Sequence, residues 1–161
     1  MECSTIIIRR LNQKDLQSVY KLIQNTIGIS YSEAYPREAI EFFKNYHSKE
    51  QILDDTTNGY TLIAECNGEI IGTATLLGTN IRRVFVSPPH QHRGIGKLLV
   101  QELEKKALRE KSTTLDLEAS LVSKQFWESL GFTVHTEEYF PVRNDQKLHY
   151  YKMIKTLNDS P

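Results

Sequence analysis

Very little in this chain of 161 residues marks it for an unusual environment. Two cysteines are too few for a disulfide-stapled miniprotein, and Cys3 and Cys66 stand at no metal or redox spacing, as expected of thiols in a reducing cytosol. Eight glycines and five prolines are scattered, so no linker, internal repeat or low-complexity segment divides the chain. There is no net charge: twenty Lys+Arg face twenty Asp+Glu, which removes the basic footprint a dedicated nucleic-acid binder needs. No apolar run approaches the roughly 20 residues of a membrane-spanning helix. The opening MECSTIIIRR lacks the length and order of a signal peptide. These absences lead to the expectation of a soluble, cytoplasmic protein without nucleic-acid or membrane partners. What is present is 39% hydrophobic residues, enough for one packed core and a single domain over residues 5–157.

Periodicity places a strand at Thr5–Arg10. A helix follows, capped by Asn12 and Asp15, with Leu16, Val19, Tyr20, Ile23 and Ile27 on one stripe and Gly28 at its end. An irregular stretch rich in Tyr and Ser leads to Pro36, which suits the first turn of a helix through Arg37–Tyr46. Ser48 and Gln51 open one more helix, ending near Asn58-Gly59. Tyr60–Cys66 and Glu69–Leu77 then read as strands joined by Asn67-Gly68, the pair a type I′ hairpin turn prefers. Ile81–Val86 is a strand stopped by Ser87-Pro88-Pro89. Gln91–Gly96 leads into a helix to about Lys111, with Ile95, Leu98, Leu99, Leu103 and Ala107 inward and Glu102 paired to Lys106 outside. A strand at Thr113–Glu118, a short helix at Ser123–Leu130 closed by Gly131, and strands at Phe132–Glu138 and Leu148–Lys155 complete one mixed α/β domain.

One stretch carries chemistry. After Val84-Phe85-Val86 the prolines turn the chain, and Gln91-His92-Arg93-Gly94-Ile95-Gly96 opens an amphipathic helix. Such a start has free backbone N–H groups and the positive end of the helix dipole, and glycines let an anion approach closely. It is a phosphate cradle. A P-loop fails here because Gln91 stands where its first glycine belongs and Leu98 follows Lys97. A dinucleotide fingerprint fails because Leu99 stands at its third glycine.

The stretch resembles the signature of the GCN5-related N-acetyltransferases, the GNAT superfamily: Q/R-x-x-G-x-G/A after a strand ending in a V-x-P turn, here Val86-Ser87-Pro88. Their second signature, F-Y-x-x-x-G-F, is similar to Phe126-Trp127-Glu128-Ser129-Leu130-Gly131-Phe132. The resemblance covers about Thr5 to Lys155. It implies an α/β (α+β) fold with a mixed, mostly antiparallel, twisted sheet of about seven strands and helices on both faces. It also implies direct acetyl transfer from acetyl-CoA to an amine, in a monomer or homodimer, with no metal. The pyrophosphate would lie on the backbone of Gln91, His92, Arg93, Gly94, Ile95, Gly96 and Lys97. Pantetheine would run beside Phe85 and Val86, with Ser120 and Phe126 flanking it. The Phe85–Val86 backbone is then the place to look for an N–H donor to the thioester oxygen.

The family's phenolic acid falls at Trp127, whose indole N–H does not ionise near neutral pH. Either another group protonates the thiolate or it leaves unprotonated; a chain that binds the cofactor without transfer, or one that moves a longer acyl group, is the alternative. Ser120 stands where many members have asparagine. Glu65 and Glu118 are the candidate bases, beside a water chain. Tyr31, Glu33 and Tyr35 are candidates to shape an amine pocket, whereas Phe42, Phe43 and Tyr46 read as core. Tyr139, Phe140, Tyr150 and Tyr151 fit either role. Strand alternation sends Arg82 and Arg83 to opposite faces, so at most one serves a given pocket. His90 and His92 read as loop residues on the cradle rather than metal ligands.

Overall fold

The computed structural model describes residues 3–158; the first two residues of the MECSTIIIRR opening lie outside it. Seven strands form one sheet: β1 (Ile6–Arg10), β2 (Tyr60–Cys66), β3 (Glu69–Leu77), β4 (Asn80–Val86), β5 (Thr114–Ser120), β6 (Thr133–Pro141) and β7 (Lys147–Thr156). Their spatial order is β1-β2-β3-β4-β5-β7-β6. Every neighbouring pair is antiparallel except β4 and β5, which are parallel and meet in register only at Asn80↔Asp116. Beyond that point the two strands splay.

Five helices cover the sheet: α1 (Leu16–Ser30), α2 (Arg37–Tyr46), α3 (Lys49–Asn58), α4 (Ile95–Arg109) and α5 (Lys124–Ser129). Helices α4 and α5 pack on one face, where Leu99, Leu103 and Ala107 meet Ile71, Ala74, Leu115 and Leu117. The other face carries α1 and α3 through Val19, Ile23, Ile27 and Ile52 against Ile63 and Phe85. Helix α2 closes that face near β7, with Tyr35, Ala39 and Leu148 in contact. Alternating strands and helical stripes therefore bury both sheet faces, the two-sided layering expected from the element order.

Local chemistry accounts for most boundaries and for the departures. Asn12 and Asp15 do form a capping box, but on a short 3-10 turn, Gln13–Asp15, that runs into α1. Gly28 does not end α1; the helix continues to Ser30, and the Lys44 side chain lies over the glycine. Leu98 is 44% exposed, and Val100 takes the inward place expected of it, because α4 is rotated by its packing on β3 and β4. Glu102 pairs with Lys105 and Lys106 with Glu110, in place of the expected Glu102–Lys106 pair. The reading of two unconnected thiols is also overturned. With Ile6 opposite Cys66 in the β1–β2 register, the residues just before β1 lie beside the hairpin, and Cys3 is disulfide-bonded to Cys66 at a Cα–Cα distance of 5.8 Å. Spacing along the chain carried no trace of that contact.

Candidate active site

The decisive irregularity is in β4. Thr73 pairs with Phe85 and Thr75 with Arg82, so Ala74 alone faces both Arg83 and Val84. This is a β-bulge, with Arg83 at φ 53°. The extra residue resets the alternation. Ile81, Val84 and Val86 face α4, whereas Arg82, Arg83 and Phe85 all face the α1–α3 side. The expectation that the two arginines point to opposite faces is therefore wrong, and the bulge is its cause.

The splay opens a cavity of about 440 Å³ that is lined from both sheet faces. Ile81, Val84, Phe126 and Trp127 line it on the α4–α5 side. On the other side are the aromatic rings of Tyr31, Phe42, Phe43, Tyr46, Phe140 and Tyr150. Arg82, Arg83, Phe85, Glu118, Ser120 and Ser123 complete the wall. Phe42 and Phe43 do pack against the buried clusters, while their part-exposed rings also line the opening; Tyr46 is exposed and is not core. Phe140 and Tyr150 join them, while Tyr151 packs on the opposite face and Tyr139 is exposed.

Two expected pocket residues are elsewhere. Tyr35 is buried, donating to the His149 carbonyl and accepting from the Leu121 N–H, both at 2.8 Å; it fastens α2 to the end of β5 and to β7. Glu33 is exposed. Tyr31 does line the cavity, stacked among Phe43, Tyr35 and Phe85 at ring-centroid distances of 5.1, 5.7 and 6.4 Å. Burial pushes its phenol above its ordinary range, opposed by the Ser120 hydroxyl. Of the candidate bases, Glu65 is held by Arg9 at 2.8 Å and is not on the cavity wall. Glu118 is on that wall and accepts from Asn80 Nδ2 at 3.1 Å.

Beneath the cavity lies a cluster absent from the sequence reading. Asp55 Oδ2 accepts from both Arg82 Nη1, at 3.2 Å, and Arg83 Nη1. Arg83 Nε donates to His47 Nδ1 at 3.0 Å. Arg83 Nη2 is buried and has no hydrogen-bond partner among the described residues. Burial works against the Asp55 carboxylate, but the two guanidinium groups outweigh it and hold its pKa below the usual carboxylate value. His47 is pushed down from 6.5 to about 3, first by burial and then by the Arg83 charge. A signal for Asp55 did exist: it sits one turn after buried Ile52, on the apolar face of α3.

The pH consequence follows from the direction of these shifts. Between pH 6.5 and about 3 the unfolded chain takes up a proton that folded His47 refuses. Stability is therefore expected to fall with pH through that window, by roughly 1.4 kcal/mol per unit for one such group. Asp55 acts in the same sense at the acid end, since its folded pKa lies below the unfolded one. Urea unfolding from pH 7 to 4 measures the slope, and His47→Gln should flatten it.

After β4, Pro88–His90 makes a 3-10 turn and α4 starts at Ile95 after Gly94 at φ 82°. Gln91 Nε2 donates to the Val86 carbonyl at 2.9 Å and to Ser30 Oγ at 3.3 Å, pinning the loop to β4 and α1. His90 Nδ1 is 2.7 Å from Ser87 Oγ, and His92 and Arg93 are exposed. A Cβ on Gly94, the N-cap of α4, would meet nothing within 4 Å, so the space at that residue is open. Among the described residues no group of three or more His, Cys, Asp or Glu could hold a metal, and no helix is long and apolar enough to cross a membrane.

The acetyltransferase (GNAT) domain family matches residues 31–157. The chain belongs to the GNAT acetyltransferase family. Its reaction is the transfer of an acetyl group from acetyl-CoA to an amine. A spermidine N(1)-acetyltransferase of Thermoplasma acidophilum is 26% identical over 152 residues, which is 87% of this chain and 91% of the relative. Among solved structures, a GCN5-related N-acetyltransferase from Rhodopseudomonas palustris superposes with a TM-score of 0.87 at 24% identity, covering 98% of this chain and 99% of that one. The PaiA N-acetyltransferase of Thermoplasma acidophilum, solved with coenzyme A, gives 0.76 at 22% identity over 95% and 99% of the two chains. These two likenesses establish the fold: a mixed sheet, mostly antiparallel, with helices on both faces.

Proposed function

We propose that residues 5–157 act as one acetyltransferase domain in which the β4–β5 splay holds acetyl-CoA and the aromatic side of the cavity holds the amine. The observation that carries this is the through-sheet cavity with the start of α4 beside it: Phe126, on the cavity wall, lies 3.1 Å from where a Cβ on Gly96 would be, and the space at Gly94 is open. The backbone of Gln91, His92, Arg93, Gly94, Ile95, Gly96 and Lys97 cradles the pyrophosphate, since the first N–H groups of α4 have no helical acceptor. Phe85 and Val86 offer the unpaired edge of β4 to the pantetheine, flanked by Ser120 and Phe126.

Acetyl-CoA supplies an activated thioester carbonyl. A backbone N–H of β4 beyond the bulge polarises the carbonyl oxygen. The neutral amine nitrogen forms the new C–N bond, the C–S bond breaks with coenzyme A leaving as its thiolate, and the nitrogen gives up one proton; an acceptor that arrives as an ammonium loses one proton before it attacks. Glu118 is the residue placed to take that proton, directly or through water. Trp127 faces the cavity as an apolar wall and not as an acid, so the thiolate leaves without a phenol at that position. Cytoplasmic residence belongs to the same reading, with the Cys3–Cys66 bond as the feature opposing it.

Thermal unfolding beside acetyl-CoA, coenzyme A, ATP and NAD at equal concentration tests the assignment. A hundredfold excess over Kd adds about 2.7 kcal/mol of stability. A shift with acetyl-CoA and coenzyme A alone, followed by thiol release from acetyl-CoA with an amine, is expected. No shift with either removes the cofactor site.

A further inference from the structure

We propose that the acceptor is an amino carboxylate: its ammonium lies toward Glu118, its carboxylate on Arg83 and Arg82, and its side chain among the rings. This rests on the acetyl-transfer reading above and names the substrate class of the same site.

Three observations converge on it. Arg83 lines the cavity with its side chain 2% exposed, spending Nε on His47 and Nη1 on Asp55 while Nη2 has no acceptor. Buried donors are ordinarily satisfied, so an orphan guanidinium N–H on a cavity wall marks a place for an acceptor atom. Second, the charges do not cancel. Arg82 and Arg83 share the single carboxylate of Asp55, and the third neighbour, His47, is neutral because its pKa lies near 3. One guanidinium charge is left unmatched, and a planar fork suits a carboxylate.

Third, Glu118 is the acidic residue on the lining, and its position is fixed relative to the arginines. Strands β4 and β5 are parallel and level at Asn80↔Asp116. Two residues on, Arg82 and Glu118 therefore face each other across the opening splay, with Arg83 one step deeper in the bulge. Opposite charges on opposite walls of one cavity fit a zwitterion. The Tyr46 ring lies over the Arg83 guanidinium at 5.9 Å and is itself 49% exposed, so the guanidinium is near the cavity's outer edge. A polyamine offers nothing to Nη2, whereas a carboxylate supplies the acceptor it lacks. The spermidine enzyme of Thermoplasma acidophilum thus differs from this chain in acceptor.

The test is steady-state thiol release with acetyl-CoA and three acceptors of one shape: phenylalanine, phenylalaninamide and phenethylamine, with spermidine beside them. The expected wild-type result is a kcat/KM for phenylalanine at least about tenfold above the other three. Arg83→Gln should remove that advantage mainly through KM while the coenzyme A-induced rise in melting temperature persists. Arg83→Lys should restore part of it. Arg82→Gln gives the same reading if the Arg83 variants do not fold, and the wild-type ranking needs no variant at all. Equal rates for the three, or a preference for phenethylamine or spermidine, overturns the inference and leaves acetyl transfer standing. Coenzyme A binding with no turnover of any amine also overturns it. Absence of coenzyme A binding overturns both.

Discussion

A Gly94→Val protein is expected to fold and to lose its stabilisation by coenzyme A. Gly94 is left-handed at φ 82°, and a side chain there costs about 1–2 kcal/mol in backbone strain. Its Cβ would otherwise be unobstructed, because no atom lies within 4 Å. The new side chain therefore occupies open space at the N-cap of α4, next to the helix start that a phosphate has to approach. If binding weakens a hundredfold, the 2.7 kcal/mol gained by the wild type at a hundred times Kd shrinks to about 0.4 kcal/mol. Gly96 is the poorer probe. A Cβ at that position meets the Phe126 ring at 3.1 Å, so its loss disturbs the packing of α5 as well as the cradle. Unchanged ligand stabilisation in a folded Gly94→Val protein removes the phosphate cradle from this account.

Asp55→Ala is expected to cost about 3–5 kcal/mol of folding stability, read as a lowered urea midpoint at constant m. Among the described residues Asp55 is the carboxylate in contact with both Arg82 and Arg83, and it is 3% exposed. Its removal leaves two cations facing each other, one of them almost fully buried. Since small domains are stable by about 5–15 kcal/mol, that loss is a large share of the whole. Asp55→Asn retains a hydrogen-bond acceptor and should cost less. A midpoint shift equivalent to less than about 1 kcal/mol would mean that water reaches the guanidinium groups and that the cluster is not desolvated.

The order of elements was legible because each hydrophobic period was clean and each turn had its own chemistry. Asn67 and Gly68 both take positive φ in the hairpin, and Ser48 caps α3 through the Gln51 N–H. Element ends were less legible where packing decides them. Strand β5 runs on to Ser120 because β7 pairs with it as far as Ser120↔Tyr150. In the site, the two glycines and Phe126-Trp127 announced a cofactor, since those motifs are local in sequence. The arginine cluster did not announce itself. Its existence depends on a bulge that the sequence Arg82-Arg83-Val84 does not mark, and on Asp55 and His47 brought in from α3 and the end of α2. Charge pairs formed across long separations leave no period to read. The Cys3–Cys66 bond escaped for the same reason.

The single point of register between β4 and β5 also has a bearing on how the molecule opens. Strands β1–β4 and strands β5–β7 are each knit by long antiparallel ladders, interrupted only by bulges, whereas the seam between them depends on Asn80 and Asp116 at one end and on helix packing elsewhere. In the language of local stability, these are two cooperative units sharing one soft boundary. A ligand lying along the free edge of β4 sits on that boundary, so its occupancy and the coupling of the two units rise and fall together.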